Sequence, residues 1–443
     1  MHRRGFYVLA VLVLALSLAV AGCSILARKA STGGQVQGNQ NNISSTNFDS
    51  AFIGPDLLSA KPLDPGLLQQ IMQNYVPPKD DFSQYITFTE NQDGWGGCVG
   101  RSMTHAMDIE NEMECPYTPD LSDWYVHRRQ EEIANGKPVD TGYLLEHYGD
   151  CPEAYLPTDY DKVTRTNKVN DYSTMPQPTA ANDQEAAFYK IILLSHSIKP
   201  DKDVMQHLMM QYGPLLIEGD IPHVAKGHCM TVIGWDDSHK GGGAFKLLNS
   251  WGDHWGPNKD GTYWLTYSDL AAGAHHLDIR YIQNKVSDRT GTKYAYSARI
   301  SLQGGPSALR NGLTVSIAAA GQEPWVFWDQ PNHLHDHCYD NSRNLCIDIP
   351  LPDYAAANWF PSANAQWSIQ VTNHNSGAVT LQEFTVARQD KDANGKLSVE
   401  TYTSDQNGSI VQGGGTASFT IPSTATKVIL PVYTHNPFSL LPS

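Results

Sequence analysis

The sequence predicts an α+β domain followed by an all-β sandwich. Helical and strand patterns mix over residues 77–285, whereas residues 290–443 contain short alternating runs such as Leu313 to Ile317, separated by Gly, Asn and Pro clusters. Alternation of apolar and polar residues is typical of half-buried strands, and many short runs of this kind favour a sandwich. The chain has 443 residues, which leaves room for two domains because a domain has about 100–200 residues.

Residues 1–22 have the pattern of a signal peptide. A short basic start precedes the almost wholly apolar run from Tyr7 to Ala21, which is short for a membrane-spanning helix. The order Val20-Ala21-Gly22-Cys23 resembles the bacterial lipobox, whose cysteine receives a lipid and becomes the mature N-terminus. We therefore expect a lipoprotein anchored through Cys23, exported to the bacterial cell surface or periplasm. An ordinary signal peptide or an uncleaved anchor helix is the alternative.

Residues 23–76 are predicted to form a lipid-anchored tether and a short N-terminal segment. The small and polar residues of 24–50 cannot bury a core. Asp64 suits the N-cap and Pro65 the first position of a helix that extends to Tyr75.

The acidic composition excludes one class of partner. The formal net charge is -15 at pH 7, and an acidic surface repels the phosphate backbone of nucleic acids. We therefore expect no nucleic-acid partner. The sequence leaves the oligomeric state open.

One cysteine stands where a reactive thiol would be expected. Cys98 follows the glycine-rich stretch Asn91 to Gly97 and opens a run with roughly helical periodicity, Val99 to Ile109. The positive end of a helix dipole stabilises a thiolate and so lowers the pKa of a cysteine placed there. Taken alone, this motif is weak evidence, and a buried structural cysteine would be the default interpretation of Cys98.

Two further motifs supply a histidine and an asparagine. His228 opens an apolar, β-branched strand that leads to Trp235, and Asn249 lies in the stretch Asn249 to Gly256. An asparagine can accept a hydrogen bond from an imidazole, and Trp251 can shield that contact from water. Each motif by itself could also be an ordinary strand-edge histidine or a polar turn.

Taken together, the three stretches resemble the papain-like cysteine peptidases over residues 77–285. The resemblance rests on the order Gln92, Cys98, His228 and Asn249, on the spacing of six residues between Gln92 and Cys98, and on the motif Asn-Ser-Trp-Gly-x-x-Trp-Gly. It implies a two-lobed catalytic domain, with a helical lobe and a β-barrel-like lobe. Residues 290–443 would then be a β-sandwich accessory domain.

The resemblance also implies a role for each of these residues. Cys98 attacks a peptide carbonyl, His228 exchanges the proton, Asn249 orients the imidazole, and Gln92 belongs to the oxyanion hole. Trp251 supports the site from behind the histidine. The expected partner is a protein or peptide substrate.

Two other readings of the function stay open. A transglutaminase or peptidoglycan hydrolase would also use a Cys–His pair, but the glutamine before Cys98 and the asparagine at 249 count against it. A non-catalytic surface binding protein could keep the scaffold, but it would have no physical need to keep the four roles in order.

We expect neither a metal nor a cofactor. His333, His335 and His337 alternate, but a solvated loop is the simpler interpretation. Asp390 to Gly395 resembles the start of a calcium loop, yet Thr401 stands where that loop needs an acid, so a metal-free hairpin is favoured.

The cysteines allow disulfides, because the chain is expected to be exported. Cys338 and Cys346 are close in sequence and flank a turn-rich stretch, so we predict that they pair. Pairing of Cys115 with Cys151 is a further possibility that the sequence does not decide.

Overall fold

The structure is a computed structural model. It describes residues 64–87, 97–134, 141–156, 177–195, 197–284, 296–329, 343–351, 366–391, 397–422 and 424–431. Its helices are α1 (Pro65–Ile71), α2 (Cys98–Glu114), α3 (Asp123–Ala134), α4 (Thr141–His147), α5 (Ala180–Ala186), α6 (Lys202–Tyr212) and α7 (Tyr267–Gly273). Among the residues described, no helix is both long and apolar enough to cross a membrane.

Helix α1 begins where the sequence predicts. The Asp64 carboxylate accepts the backbone N–H groups of Gly66 at 2.6 Å and Leu67 at 3.0 Å, which satisfies two donors of the first turn. The helix ends at Ile71, one turn before the predicted end at Tyr75.

Helix α2 is the central element of the N-terminal half. Its apolar residues, including Met103, Ala106 and Met107, are buried in one hydrophobic cluster. Arg101 is fully buried and pairs with Asp123 of α3, with Nε and Oδ2 2.5 Å apart. A buried guanidinium needs such a partner because the loss of hydration is costly. The pair therefore fixes α3 against the start of α2.

A seven-stranded antiparallel sheet packs against α2. Its strands are β1 (Lys79–Asp81), β2 (Ile191–Leu194), β3 (Leu215–Ile221), β4 (Ala225–Asp236), β5 (Ala244–Leu248), β6 (Thr262–Thr266) and β7 (Leu277–Asn284). The order is β2-β7-β3-β4-β5-β6, with β1 on β4. Strand β4 is the centre of this sheet.

The sheet is open, so the β-barrel-like lobe expected from the sequence is wrong in this respect. In the described residues β2 pairs with β7 alone and β6 with β5 alone. Helix α7 starts directly after β6, and the Thr266 hydroxyl caps it by accepting the Asp269 N–H. The chain therefore continues from the β6 edge into a helix, and β6 forms no pairing that would close the sheet among the described residues.

The region from residue 296 to 431, the C-terminal β region, is built from strands. They are β8 (Tyr296–Gly304), β9 (Leu313–Ala319), β10 (Trp325–Asp329), β11 (Asn344–Pro350), β12 (Trp367–Asn373), β13 (Val379–Lys391), β14 (Leu397–Thr403), β15 (Ile410–Val411), β16 (Thr416–Ile421) and β17 (Lys427–Pro431). One sheet has the order β10-β9-β12-β16, the other β11-β8-β13-β14-β17 with β15 on β13. One hydrophobic cluster contains residues of both sheets, among them Val315 and Phe384. Each sheet is apolar on the face that contributes to this cluster.

Strands β13 and β14 are antiparallel neighbours, with Lys391 opposite Leu397. They are the two strands predicted on either side of Asn394-Gly395, which itself lies outside the described residues.

A buried charge cluster joins the two halves of the chain. We call Glu112, Asp120, Arg299 and Asp348 the junction cluster. Arg299 Nη2 donates to Glu112 Oε1 at 2.8 Å, and Arg299 Nε donates to Asp348 Oδ1 at 2.9 Å. The backbone N–H of Asp348 donates to Asp120 Oδ2 at 2.6 Å. The Arg299 guanidinium therefore bonds to two of the three carboxylates, and a backbone N–H bonds to the third.

Burial dominates the electrostatics of the junction cluster. Desolvation raises the pKa of Glu112 to about 7, against the lowering effect of Arg299. Desolvation also raises the pKa of Asp120 and of Asp348. Burial alone would lower the pKa of Arg299, but the Asp348 and Glu112 carboxylates raise it above its ordinary value. Arg299 therefore stays charged, whereas each of the three carboxyl groups binds a proton at a higher pH than it would in water.

Candidate active site

Cys98 is the first residue of α2. Gly97 is the N-cap, and the Arg101 N–H donates to the Gly97 carbonyl at 3.1 Å. The thiol is buried, with 4% of the residue exposed. The first backbone N–H groups of a helix have no partner within the helix and carry its positive dipole end. Cys98 thus lies where a thiolate and a developing oxyanion are both stabilised.

His228 lies in β4, opposite Gly219 of β3. It is 1% exposed, and Asn249, which directly follows β5, is 0% exposed. His228 Nε2 and Asn249 Oδ1 are 2.8 Å apart. An amide oxygen only accepts, so Nε2 carries a proton in this contact, and Nδ1 is the ring nitrogen that remains for another partner.

The backbone fixes the orientation of the Asn249 amide. The Ser250 N–H donates to Asn249 Oδ1 at 2.8 Å, so this oxygen accepts two hydrogen bonds and faces the imidazole. The sequence motif predicts the asparagine, but the sequence gives no signal for this second hydrogen bond. It is a local contact between adjacent residues, visible only once the turn is known.

The Trp251 ring covers the His228 ring. The two rings are stacked, with centroids 4.9 Å apart and an interplanar angle of 25°. Trp255 meets Trp251 edge-on at 5.3 Å. Two aromatic rings therefore exclude water from one side of the His228–Asn249 hydrogen bond, which strengthens it.

Helix α2 and strand β4 bring Cys98 and His228 to the same region. The Thr231 hydroxyl of β4 donates to the Ser102 carbonyl of α2 at 2.9 Å. Ser102 lies one helical turn after Cys98, and Cys98 belongs to the same hydrophobic cluster as Cys229, the neighbour of His228. The contact between Thr231 and Ser102 is a positioning contact that the sequence does not indicate.

Several predicted residues lie outside the described part of the chain. Gln92, Cys23, Cys338 and the histidines at 333, 335 and 337 are among them. The roles assigned to Gln92 and Cys23 stay predictions. No group of three or more His, Cys, Asp or Glu side chains in the described ranges is arranged to hold a metal ion.

One expectation about the cysteines needs correction, and a second pairing that the sequence left open is not formed in this structure. Cys346 is a free thiol on β11, so the Cys338–Cys346 disulfide is not formed in this structure. Desolvation raises the pKa of Cys346 to about 12. Cys151 is also a buried thiol rather than half of a disulfide with Cys115, and it accepts a hydrogen bond from Asn182 Nδ2 at 3.6 Å. Cys115, Cys151 and Cys346 are all free thiols in this structure.

Cys151 is also a poor candidate for the nucleophile. Burial raises the pKa of its thiol well above the ordinary value, and the neighbouring carboxylates of Asp150, Glu185 and Glu153 raise it further. A thiol in such surroundings stays protonated and unreactive. Cys98, at the start of a 17-residue helix, has the opposite electrostatic setting.

Comparisons with known proteins give a structural likeness alone. No protein-family model matches the chain, and no curated protein matches it in sequence. Xylellain, a cysteine protease from Xylella fastidiosa, has a TM-score of 0.42 and 19% identity over 51% of this chain and 91% of its own. Procathepsin L 3 of the Tenebrio molitor larval midgut has a TM-score of 0.37 and 14% identity over 51% of this chain and 76% of its own. Bromelain from Ananas comosus, solved with the inhibitor E64, has a TM-score of 0.35 and 16% identity over 47% of this chain and 99% of its own. These solved structures that the chain resembles are cysteine proteases.

Proposed function

We propose that this chain is an exported, lipid-anchored cysteine peptidase of the papain type, with Cys98 as nucleophile and His228 as its base. The observation that carries the proposal is the buried hydrogen bond of 2.8 Å between His228 Nε2 and Asn249 Oδ1, beside a helix that begins at Cys98. A histidine held in this way can exchange a proton only through its other ring nitrogen. The proposed architecture is a two-lobed catalytic domain over residues 77–285, followed by a sandwich domain over residues 290–443.

The proposed reaction is acyl transfer to water. The Cys98 thiolate attacks the peptide carbonyl carbon, and its electron pair forms the carbon–sulfur bond while the carbonyl oxygen becomes an oxyanion. The Cys98 N–H and the Gln92 amide donate to this oxyanion, and a donor of this kind typically contributes about 3 kcal/mol. His228 Nδ1 then gives its proton to the leaving nitrogen, and the carbon–nitrogen bond breaks. Water, deprotonated by His228, releases the acyl group and restores the thiolate.

The proposal is tested by covalent labelling. The full chain is incubated with an epoxide inhibitor of cysteine peptidases, and the modified residue is located by mass spectrometry. We expect one adduct, on Cys98, because the other described thiols for which a pKa shift is resolved, Cys151 and Cys346, have raised pKa values and a protonated thiol reacts slowly. Labelling of a different cysteine, or of none, would contradict the assignment and favour a non-catalytic binding protein.

Replacing Asn249 by Ala should lower turnover without abolishing it. Asn249 orients the imidazole and exchanges no proton, so His228 remains able to act as a base from a less favourable set of orientations. We expect kcat to fall by about 10–100-fold with little change in KM, because substrate binding does not depend on this hydrogen bond. The measurement is steady-state hydrolysis of a fluorogenic peptide. Asn249→Gln is the matched control, since a longer amide cannot reproduce the 2.8 Å contact and should be similarly slow.

The lipid anchor at Cys23 is a separate proposal that rests on the sequence order Val20 to Cys23. The wild-type protein should partition into the detergent phase in a Triton X-114 separation, whereas Cys23→Ser should remain in the aqueous phase or keep its signal peptide. A wild-type protein that stays in the aqueous phase, with no lipid on Cys23, would refute the anchor.

A further inference from the structure

A cavity of about 400 Å³ lies between the N-terminal half and the C-terminal β region. Its volume falls within the range of ligand pockets, about 300–1,000 Å³. Polar side chains from both halves line it: Thr87 and Asp253 from one, and Ser301, Gln303, Asn344 and Gln382 from the other. Neither half alone encloses this space.

One strand explains why the cavity forms where it does. Alternate residues of β8 face the N-terminal half: the Ser297 hydroxyl donates to the Tyr117 carbonyl at 2.6 Å, and Arg299 belongs to the junction cluster. Ser301 and Gln303, the next two residues on the same face, line the cavity. Gln303 is opposite Asn344 in the pairing of β8 with β11. One face of β8 therefore both contacts the N-terminal half and forms part of the cavity wall.

The cavity is close to the candidate active site. Asp253 follows Trp251 by two residues, and the Trp251 ring is 4.9 Å from the His228 ring. Asp253 therefore belongs to the same loop as the ring that covers His228.

The chemistry of the lining selects a polar ligand without net charge. Amides and hydroxyls make up half of the residues that line the wall, and one carboxylate, Asp253, is balanced by one guanidinium, Arg310. Ile86, Leu302 and Cys346 complete the lining. The Arg310 guanidinium also lies over the Trp328 ring, 6.0 Å from its centroid. Amides both donate and accept hydrogen bonds, which matches peptide groups and side chains such as Ser, Asn and Gln.

We propose that this cavity is a substrate subsite that binds polar, uncharged residues beyond the scissile bond, on the leaving-group side. The leaving-group side is chosen because His228 must reach the leaving nitrogen. Trp251 lies against His228, and Asp253, two residues further along the chain, lines the cavity. The inference rests on the proposed peptidase function. It assigns the C-terminal β region a direct role in substrate selection rather than a remote one.

The test compares two substrates on the full chain. Both carry the same acyl-side sequence, selected with a fluorogenic amide library. The short substrate ends in the fluorogenic amide at the scissile bond, and the long one continues for six residues of Ser, Asn and Gln. Gln303→Trp fills the cavity from an exposed position, and Asn344→Trp does so from the opposite strand. Gln370→Trp, exposed on β12 of the other sheet, is the matched control.

We expect Gln303→Trp and Asn344→Trp to lower kcat/KM on the long substrate by about tenfold, mainly through KM, and to leave the short substrate unchanged. Gln370→Trp should change neither. Equal losses on both substrates, or no loss on the long one, would overturn the subsite while the peptidase function stands. If the wild-type chain hydrolyses neither substrate and Cys98 is not labelled, the function fails and the subsite fails with it.

Discussion

Cys98→Ala should abolish peptide hydrolysis while leaving the fold intact. The variant removes the only group proposed to form a covalent bond with the substrate, so the rate should fall by about 10⁵-fold or more. The side chain is small and is replaced by one of similar size, so the burial of its surroundings changes little. Hydrolysis of the short fluorogenic substrate by purified protein, measured against its wild-type counterpart, checks this expectation.

Cys151→Ala is the matched control for that variant. Cys151 is a buried thiol with a raised pKa, and it takes no part in the proposed reaction. We expect it to retain most of the wild-type activity and to lose a modest amount of stability. Near wild-type activity in Cys98→Ala, or equal losses in the two variants, would contradict the assignment of the nucleophile.

Arg299→Met should be the most destabilising single change at the junction of the two halves. It removes the guanidinium that donates to Glu112 at 2.8 Å and to Asp348 at 2.9 Å, and leaves their carboxylates buried without that partner. Removing one member of a buried ion pair typically costs about 3–5 kcal/mol in the free energy of unfolding. Chemical denaturation followed by tryptophan fluorescence measures this loss.

The stability lost in Arg299→Met should depend on pH in a defined direction. The folded-state pKa of Glu112 is about 7, above its ordinary value of 4.5, so the folded protein binds more protons than the unfolded chain between these values. The contribution of Glu112 is fully present below about pH 4.5 and is lost as the pH rises through about 7. The stability of the wild-type protein should therefore fall over that window, and Arg299→Met should lose more at pH 8 than at pH 5.

Glu112→Gln provides the control for the pH effect. It keeps a hydrogen-bond acceptor for Arg299 but cannot titrate, so the stability of this variant should depend less on pH between 5 and 8. If Arg299→Met costs less than about 1 kcal/mol, or costs the same at pH 5 and pH 8, the junction cluster does not hold the two halves together as argued.

Local motifs in the sequence predicted the elements of the candidate site. The helix that begins at Cys98 and the hydrogen bond between His228 and Asn249 both follow from short patterns, in which the residue types that matter are neighbours or belong to one motif. The strand-rich character of the C-terminal β region follows from alternation, which is also a local property. These features could be predicted because each depends on few residues.

The features that the sequence did not indicate all depend on distant contacts. Glu112 and Arg299 are separated by 187 residues, and no local pattern marks either as buried. The openness of the N-terminal sheet depends on which strands occupy its edges, and alternation does not specify strand order. The prediction of a Cys338–Cys346 link used proximity in sequence, whereas the pairing of β11 with β8 places Cys346 opposite Ser301.

The charge balance of the junction cluster has a consequence for how separable the two halves are. A chain that ends near Asn284 would lack Arg299 and Asp348, the C-terminal residues that contact Glu112 and Asp120, so these two carboxylates would gain access to water and regain hydration. In a point substitution of Arg299 the two carboxylates do not regain hydration, because the C-terminal β region still covers them. Deletion of the whole C-terminal β region should therefore lower the free energy of unfolding of the N-terminal half less than the removal of one guanidinium does. The N-terminal half should therefore tolerate deletion of the whole C-terminal β region better than loss of the Arg299 charge alone. A chimera that carries a different β region would need a cation at the position of Arg299.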